Sequence, residues 1–229
     1  MATYTAYDSN GGIGVTTSTG TNVDVPFPST VNAGDTLIIA LMCHLGTEEY
    51  ATPITDSQLW TVLGENHPDA GFRWKICMWI ADGTETGNQT CIMTGSTSGD
   101  RYGLMFRFTH GSIKKGWFGG TSSITEDPSG SDNVEIDLGT NSNSSGEDAL
   151  AVVIAIGNSS TTFSASGIGY TKDVDLTSAI GDGVCFELWS EDVVYNSADG
   201  SVGLNPPDWG MGLGFFLFGI PARRVFKIT

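Results

Sequence analysis

The sequence predicts an all-β fold, an antiparallel β-sandwich built from two similar halves, and three observations predict it. Thr, Ser, Gly, Asn and Asp are abundant, while long stretches with apolar residues at the 3.6-residue spacing of a helix are absent. Short apolar runs are separated by turn formers such as Asn32-Ala33-Gly34-Asp35, Ala81-Asp82-Gly83 and Gly181-Asp182-Gly183. The phrase "NVDVPFPSTVNAGDTLIIAL" at Asn22 is echoed by "NVEIDLGTNSNSSGEDALAVVIAI" at Asn133.

The strands expected in the first half are Val23–Phe27, Thr36–Cys43, Trp60–Leu63, Phe72–Ala81, Thr90–Met93 and Leu104–Thr109. Those of the second are Val134–Leu138, Ala149–Ile156, Tyr170–Val174, Val184–Trp189, Ser201–Leu204 and Leu213–Gly219. "DTLIIALMC" and "DALAVVIAI" are nearly unbroken apolar runs, which predicts strands buried on both faces. "FRWKICMWIA" alternates, with Phe72, Trp74, Ile76, Met78 and Ile80 on one face and Arg73, Lys75, Cys77 and Trp79 on the other. Such a period of two predicts a half-buried strand.

The echo extends along the chain at nearly constant spacing. Val23 and Val25 match Val134 and Ile136, Asp35 matches Asp148, Trp79 matches Trp189, and Asp82 matches Asp192. Phe106-Arg107-Phe108 matches Phe216-Leu217-Phe218. This divides the chain into an N-terminal arm (1–21), a first repeat (22–113), a connecting segment (114–132), a second repeat (133–220) and a basic, apolar tail (221–229). Trp117 and Phe118 open the connecting segment. A free linker would not expose such residues to water, so the repeats are expected to be merged or docked.

A chain of 229 residues buries on the order of 70% of its unfolded surface, so packing alone can stabilise it. The 26 acidic against 10 basic residues give a net charge of −16. Nucleic acid is excluded as an expected partner, because its affinity comes from Lys and Arg displacing counterions. An anionic membrane is excluded on the same ground, and "GMGLGFFLFGI" is too short and Gly-rich to span a bilayer. "MATYTAYDSNGG" has neither basic nor apolar signal regions, so synthesis in the cytoplasm is expected. Cys43, Cys77, Cys91 and Cys185 lie in apolar runs without C-x-x-C spacing and are expected as buried free thiols.

At "VPFPSTVNAGDTLIIALMC", "LWTVLGE" and "MWIADGTETG" the sequence resembles structural proteins of tailed bacteriophages. The shared order is an apolar strand, a Pro-containing turn, a Gly-Asp opening a long hydrophobic strand, a Trp-Thr strand, and an aromatic strand closing in Ala-Asp-Gly-Thr-Glu. The resemblance covers Val23 to Ile220 and implies a jelly-roll-like sandwich found in capsid decoration or cement proteins, head fibres and tail fibres. It implies a virion location on the capsid exterior, the major capsid protein as partner and a homo-oligomer, a trimer above all. No catalytic residues come with it.

The residues themselves point to no reaction and no cofactor. Glu48-Glu49, Glu126-Asp127, Glu147-Asp148 and Glu191-Asp192 are adjacent acids, whereas a catalytic dyad is defined by separation in space. His44, His67 and His110 share no metal-ligand spacing, and Cys43-His44 points its side chains to opposite sides of a strand. "EDPSGSDNVEID" is rich in oxygen ligands but lacks the EF-hand order, so no metal is expected. G-x-S-x-G is absent. Trp117 and Trp209, with Tyr50 and Tyr102, are candidates for sugar stacking or subunit contacts. In the tail "PARRVFKIT", Arg223, Arg224, Phe226 and Lys227 suit strand addition to a neighbour or docking on an acidic partner.

Overall fold

The structure, a computed structural model, describes residues 5–6, 14–16, 22–28, 30–44, 53–55, 60–69, 72–93, 101–109, 123–127, 134–142, 148–157, 163–167, 169–178, 184–198, 202–205 and 210–218. The described residues form strands and turns only, and every strand pairing is antiparallel.

The first half contributes β1 (Thr5–Ala6), β2 (Gly14–Thr16), β3 (Asn22–Pro26), β4 (Thr36–His44), β5 (Pro53–Thr55), β6 (Thr61–Asp69), β7 (Phe72–Ile80), β8 (Asn88–Met93) and β9 (Arg101–Thr109). The second contributes β10 (Ser123–Asp127), β11 (Val134–Ile136), β12 (Ala149–Gly157), β13 (Ser164–Gly167), β14 (Thr171–Ser178), β15 (Val184–Val193), β16 (Val202–Asn205) and β17 (Gly210–Phe218). The large sheets run β1-β9-β4-β7-β6, with β2 also on β9, and β10-β17-β12-β15-β14. The small sheets run β3-β8-β5 and β11-β16-β13, so the two halves share one strand order. Strands β1 and β2 fall inside 1–21, and β10 inside 114–132.

Alternation within the strands distributes side chains between three apolar clusters. Ile38, Ala40 and Met42 of β4, Trp74 and Ile76 of β7, and Leu104 and Phe106 of β9 meet Val152 and Ile154 of β12, Phe186 and Leu188 of β15, and Leu213 and Phe215 of β17. The large sheets therefore cover each other's inner faces. The opposite face of the first large sheet, with Leu37, Ile39, Leu41 and Cys43, packs on Val23, Val25 and Cys91 of its small sheet. In the second half Ala151, Val153, Trp189 and Phe216 pack on Ile136, Val202 and Leu204. Four layers result, small, large, large and small, and the central strands β4 and β12 are buried on both faces as their unbroken apolar runs predict.

Strand β7 differs from expectation. It is not half-buried: Arg73, Lys75 and Cys77 are as buried as Trp74 and Ile76, because the small sheet covers the face that alternation assigned to water. The register of the repeat also shifts. An added Cβ at Gly103 would strike Val25, and at Gly214 it would lie 2.6 Å from Ile136 and 3.0 Å from Leu138. Gly103 pairs with Leu41 and Gly214 with Val153, so these two rungs correspond. Lys75, opposite Leu41, then occupies the place of Trp189, opposite Val153; Trp79 does not. Phe106 and Phe108 face the central core, whereas Phe216 faces the outer cluster.

Candidate functional site

Two kinds of polar structure stand out against this apolar frame: a clasp of turns at one end, and buried charges beneath the small sheets.

The clasp joins two turns, the Gly-Asp turn and the Ala-Asp-Gly-Thr-Glu turn. Asn32–Asp35 leads into β4 and Ala81–Glu85 leaves β7, and since these strands pair, the turns meet. Gly34 N donates to Ala81 O (2.9 Å) and Ala81 N donates to Asp35 O (2.8 Å). Gly34 has φ 94° and Gly83 φ 90°, the left-handed region where glycine is favoured. A Cβ on Gly83 would also lie 2.9 Å from Ala33 N. The Asp35 carboxylate accepts from Asn32 N (2.9 Å) and stands 3.9 Å from Arg107 Nε. Glu85 accepts from Trp79 Nε1, Asp82 N and Gly83 N, each at 2.9 Å. Hydrogen bonds from the Thr84 hydroxyl and then its N–H hold the Asp82 carboxyl below the usual range. In the second half Asp148 fills a related role by accepting from Tyr195 N (3.0 Å) beside a turn whose Asn196 has φ 61°.

Beneath the second small sheet lies Glu187, fully buried. It accepts from Phe163 N (2.8 Å), Trp189 Nε1 (2.9 Å) and Lys172 Nζ (3.1 Å). Lys172 also reaches Asp175 (3.2 Å) and stands 5.0 Å from the centre of the Trp189 ring. Burial raises Glu187 above the ordinary carboxyl value, more than its donors lower it. Burial lowers Lys172, but hydrogen bonds and charge from Glu187, then from Asp175, outweigh that and leave it raised. The pair ties β14, β15 and the start of β13 together.

Beneath the first small sheet the equivalent rung carries Arg101, Cys43 and Arg73 side by side on β9, β4 and β7. Both arginines are buried, and the neighbouring Lys75 is paired with Glu65 at 2.5 Å. Burial pushes the Cys43 and Cys77 thiols up to about 12; the positive charges of Arg101 and Arg73 at Cys43, and of Lys75 at Cys77, reverse only part of this. Thiols held so far above neutral pH are poor nucleophiles. The four cysteines are free and buried, as expected.

Of the residues singled out in the sequence, Trp117, Trp209, Arg223, Arg224, Phe226 and Lys227 lie outside the described residues, as does Tyr50. Tyr102 is not a surface aromatic: its ring is buried in the central core beside Leu104 and Phe106, so it has no face for a sugar. Among the described residues no group of three His, Cys, Asp or Glu side chains could hold a metal ion. Alternation placed Arg73 and Lys75 on the solvent face of a half-buried strand, whereas both are buried, and Arg101 and Glu187, also buried, carried no expectation, although a charge inside an apolar strand is a readable signal. Comparison with protein-family models, with curated proteins and with solved structures finds no match to the chain.

Proposed function

We propose that this chain is a non-enzymatic structural protein of a tailed-phage particle, a decoration or cement protein that binds the outside of the capsid. What supports the reading beyond the sequence resemblance is the single apolar core shared by the two large sheets. A clamp must resist shear between its halves, and a close-packed interior resists it because separating the sheets would expose that core to water. The partner is the major capsid protein, the assembly a homotrimer, and the contact segment the tail with Arg223, Arg224, Phe226 and Lys227. The net negative charge faces solvent and keeps particles apart.

The test mixes the purified protein with emptied, undecorated heads and follows co-sedimentation and the temperature of capsid rupture. Saturable binding with a raised rupture temperature is expected, since a ligand of the intact shell stabilises it by mass action. Removal of Val225–Thr229 should abolish binding and leave the fold intact. Absence of binding to heads, with binding to host glycans through Trp117 or Trp209, would overturn the cement reading in favour of a tail or fibre adhesin.

A further inference from the structure

We propose that the exposed Val194-Tyr195 corner at the end of β15 receives the C-terminal tail of a second copy of the chain, an inference that rests on the homotrimer proposed above and supplies its contact.

The corner departs from the way the rest of the described surface hides its apolar residues. Among the described residues the exposed large hydrophobics are Val62, Val194 and Tyr195, and the last two are adjacent, at 59% and 37% exposure. The first half is built differently at the same place. By the glycine rungs, Val193 opposite Ala149 corresponds to Trp79 opposite Leu37. Trp79 is followed by Ile80 and by Ala81, which is buried in the clasp, whereas Val193 is followed by a valine and a tyrosine that face water. Closing the turn does not require the tyrosine, since alanine serves in the first half. The backbone beneath the corner is fixed. Tyr195 N donates to Asp148 Oδ1 (3.0 Å), Asn196 N to Asn141 O (2.8 Å), Asn141 N to Ser197 O (2.9 Å) and Ser197 N to Val194 O (3.0 Å). Side chains held out on a rigid turn lose little backbone freedom on docking, and tyrosine is prominent among the residues that anchor interfaces.

Charge selects the occupant. From 133 to 220 the sequence holds twelve Asp and Glu and a single basic residue, Lys172, which already bonds Glu187 and Asp175. Asp148 and Asp192, both exposed, adjoin the corner. The tail inverts this composition: 221–229 carries Arg223, Arg224 and Lys227, no acid, and Val225, Phe226 and Ile228 among them. It offers cations to the acidic rim and apolar side chains to Val194 and Tyr195. Position agrees with charge. Phe218, which ends β17, and Val193 pair with Ala149 from opposite sides, so the start of the tail and the corner lie about 10 Å apart at the same end of the sheet. The eleven residues after Phe218 span at most about 40 Å, enough to reach an adjacent molecule. With donor and acceptor at one end, each copy can pass its tail to the next around an axis there, a head-to-tail contact that closes into a ring. Val194 and Tyr195 are exposed in the single chain, so the segment that covers them comes from another copy.

The experiment is sedimentation velocity on the purified full chain, without capsids, from about 1 to 100 µM. Concentration-dependent association is expected, and about 0.5 M sodium chloride should weaken it at least tenfold by screening the charges. Val194→Ser with Tyr195→Ser should sediment as a monomer, and so should Arg223→Glu with Arg224→Glu. An equal mixture of these two double variants should associate again, but only as dimers, because one intact tail meets one intact corner. A parent that stays monomeric, a corner variant that associates like the parent, or a mixture that stays monomeric would overturn the contact. A corner variant that associates like the parent but no longer binds heads would assign the corner to the capsid protein instead. Association through the corner in a protein that fails to bind heads would support the contact and overturn the cement reading alone.

Discussion

At the scale of single residues the fold depends on a few positions where a side chain has no freedom. Lys172 is one, because it neutralises a carboxylate that is completely buried. Lys172→Met should cost about 3 kcal/mol at neutral pH by leaving Glu187 charged and uncompensated. The sign of its pH dependence follows from burial. Glu187 binds its proton more tightly folded than unfolded, so the stabilisation that protonation contributes is complete below the ordinary carboxyl value and is lost as pH rises through the folded one. The deficit of the variant should therefore shrink as pH falls towards about 4 and widen towards neutrality, read by urea unfolding at each pH. A pH-independent deficit would mean that Lys172 acts by packing alone. Gly103 and Gly214 are a second case. Their missing Cβ atoms admit the small sheets, and each Gly→Ala change should cost about 1–3 kcal/mol in urea unfolding. These residues were partly legible in the sequence. The thiols and the turn glycines follow from local pattern, whereas Arg73 and Lys75 were assigned to the solvent face. Alternation reports two unlike faces, but it cannot tell that a second sheet covers the polar one.

At the scale of elements, all twelve expected strands exist, marked either by an apolar run, as in β4 and β12, or by apolar–polar alternation, as in β7 and β11. The strands that were missed, β1, β2, β5, β10 and β13, have two to five residues each. So short a stretch holds too few side chains to establish a period. Register was the weaker part of the reading: matching Phe106-Arg107-Phe108 to Phe216-Leu217-Phe218 pairs side chains of opposite faces, since a slip of one residue reverses every side chain of a strand. The outer edge of the second large sheet shows how such a surface is kept from pairing with strangers. Strand β14 carries Lys172, Asp173 and Asp175 and breaks register between Lys172 and Val174. Charges and irregular register both discourage edge-to-edge addition. Asp173→Thr with Asp175→Val should give concentration-dependent association, detected by sedimentation velocity, while the parent's association state stays unaltered at that edge. If the double variant sediments as the parent does, edge charge is not what guards β14.

For the whole molecule, the arrangement of layers decides how it unfolds. Each half has its own outer cluster, and two independent domains would need nothing more. The inner faces change this, because Trp74, Tyr102, Phe106 and Phe108 of one half are covered by Phe186, Leu188, Leu213 and Phe215 of the other. If one half unfolded alone, its neighbour would present a large-sheet face of aromatic and aliphatic side chains to water, at roughly 25 cal/mol for each Å² exposed. Such a face costs more than an isolated half of this size can tolerate, given that whole domains are stable by only about 5–15 kcal/mol. The two halves should therefore unfold in one cooperative step. Phe106→Ala and Phe215→Ala, on opposite sides of the core, should each cost about 3–5 kcal/mol and shift the same single transition, seen by calorimetry. Two resolved transitions, with Phe106→Ala moving only one and Phe215→Ala only the other, would show that the inner faces do not bind the halves into one folding unit. The duplication would then have made two neighbours, and the rigidity on which the clamp reading depends would be lost.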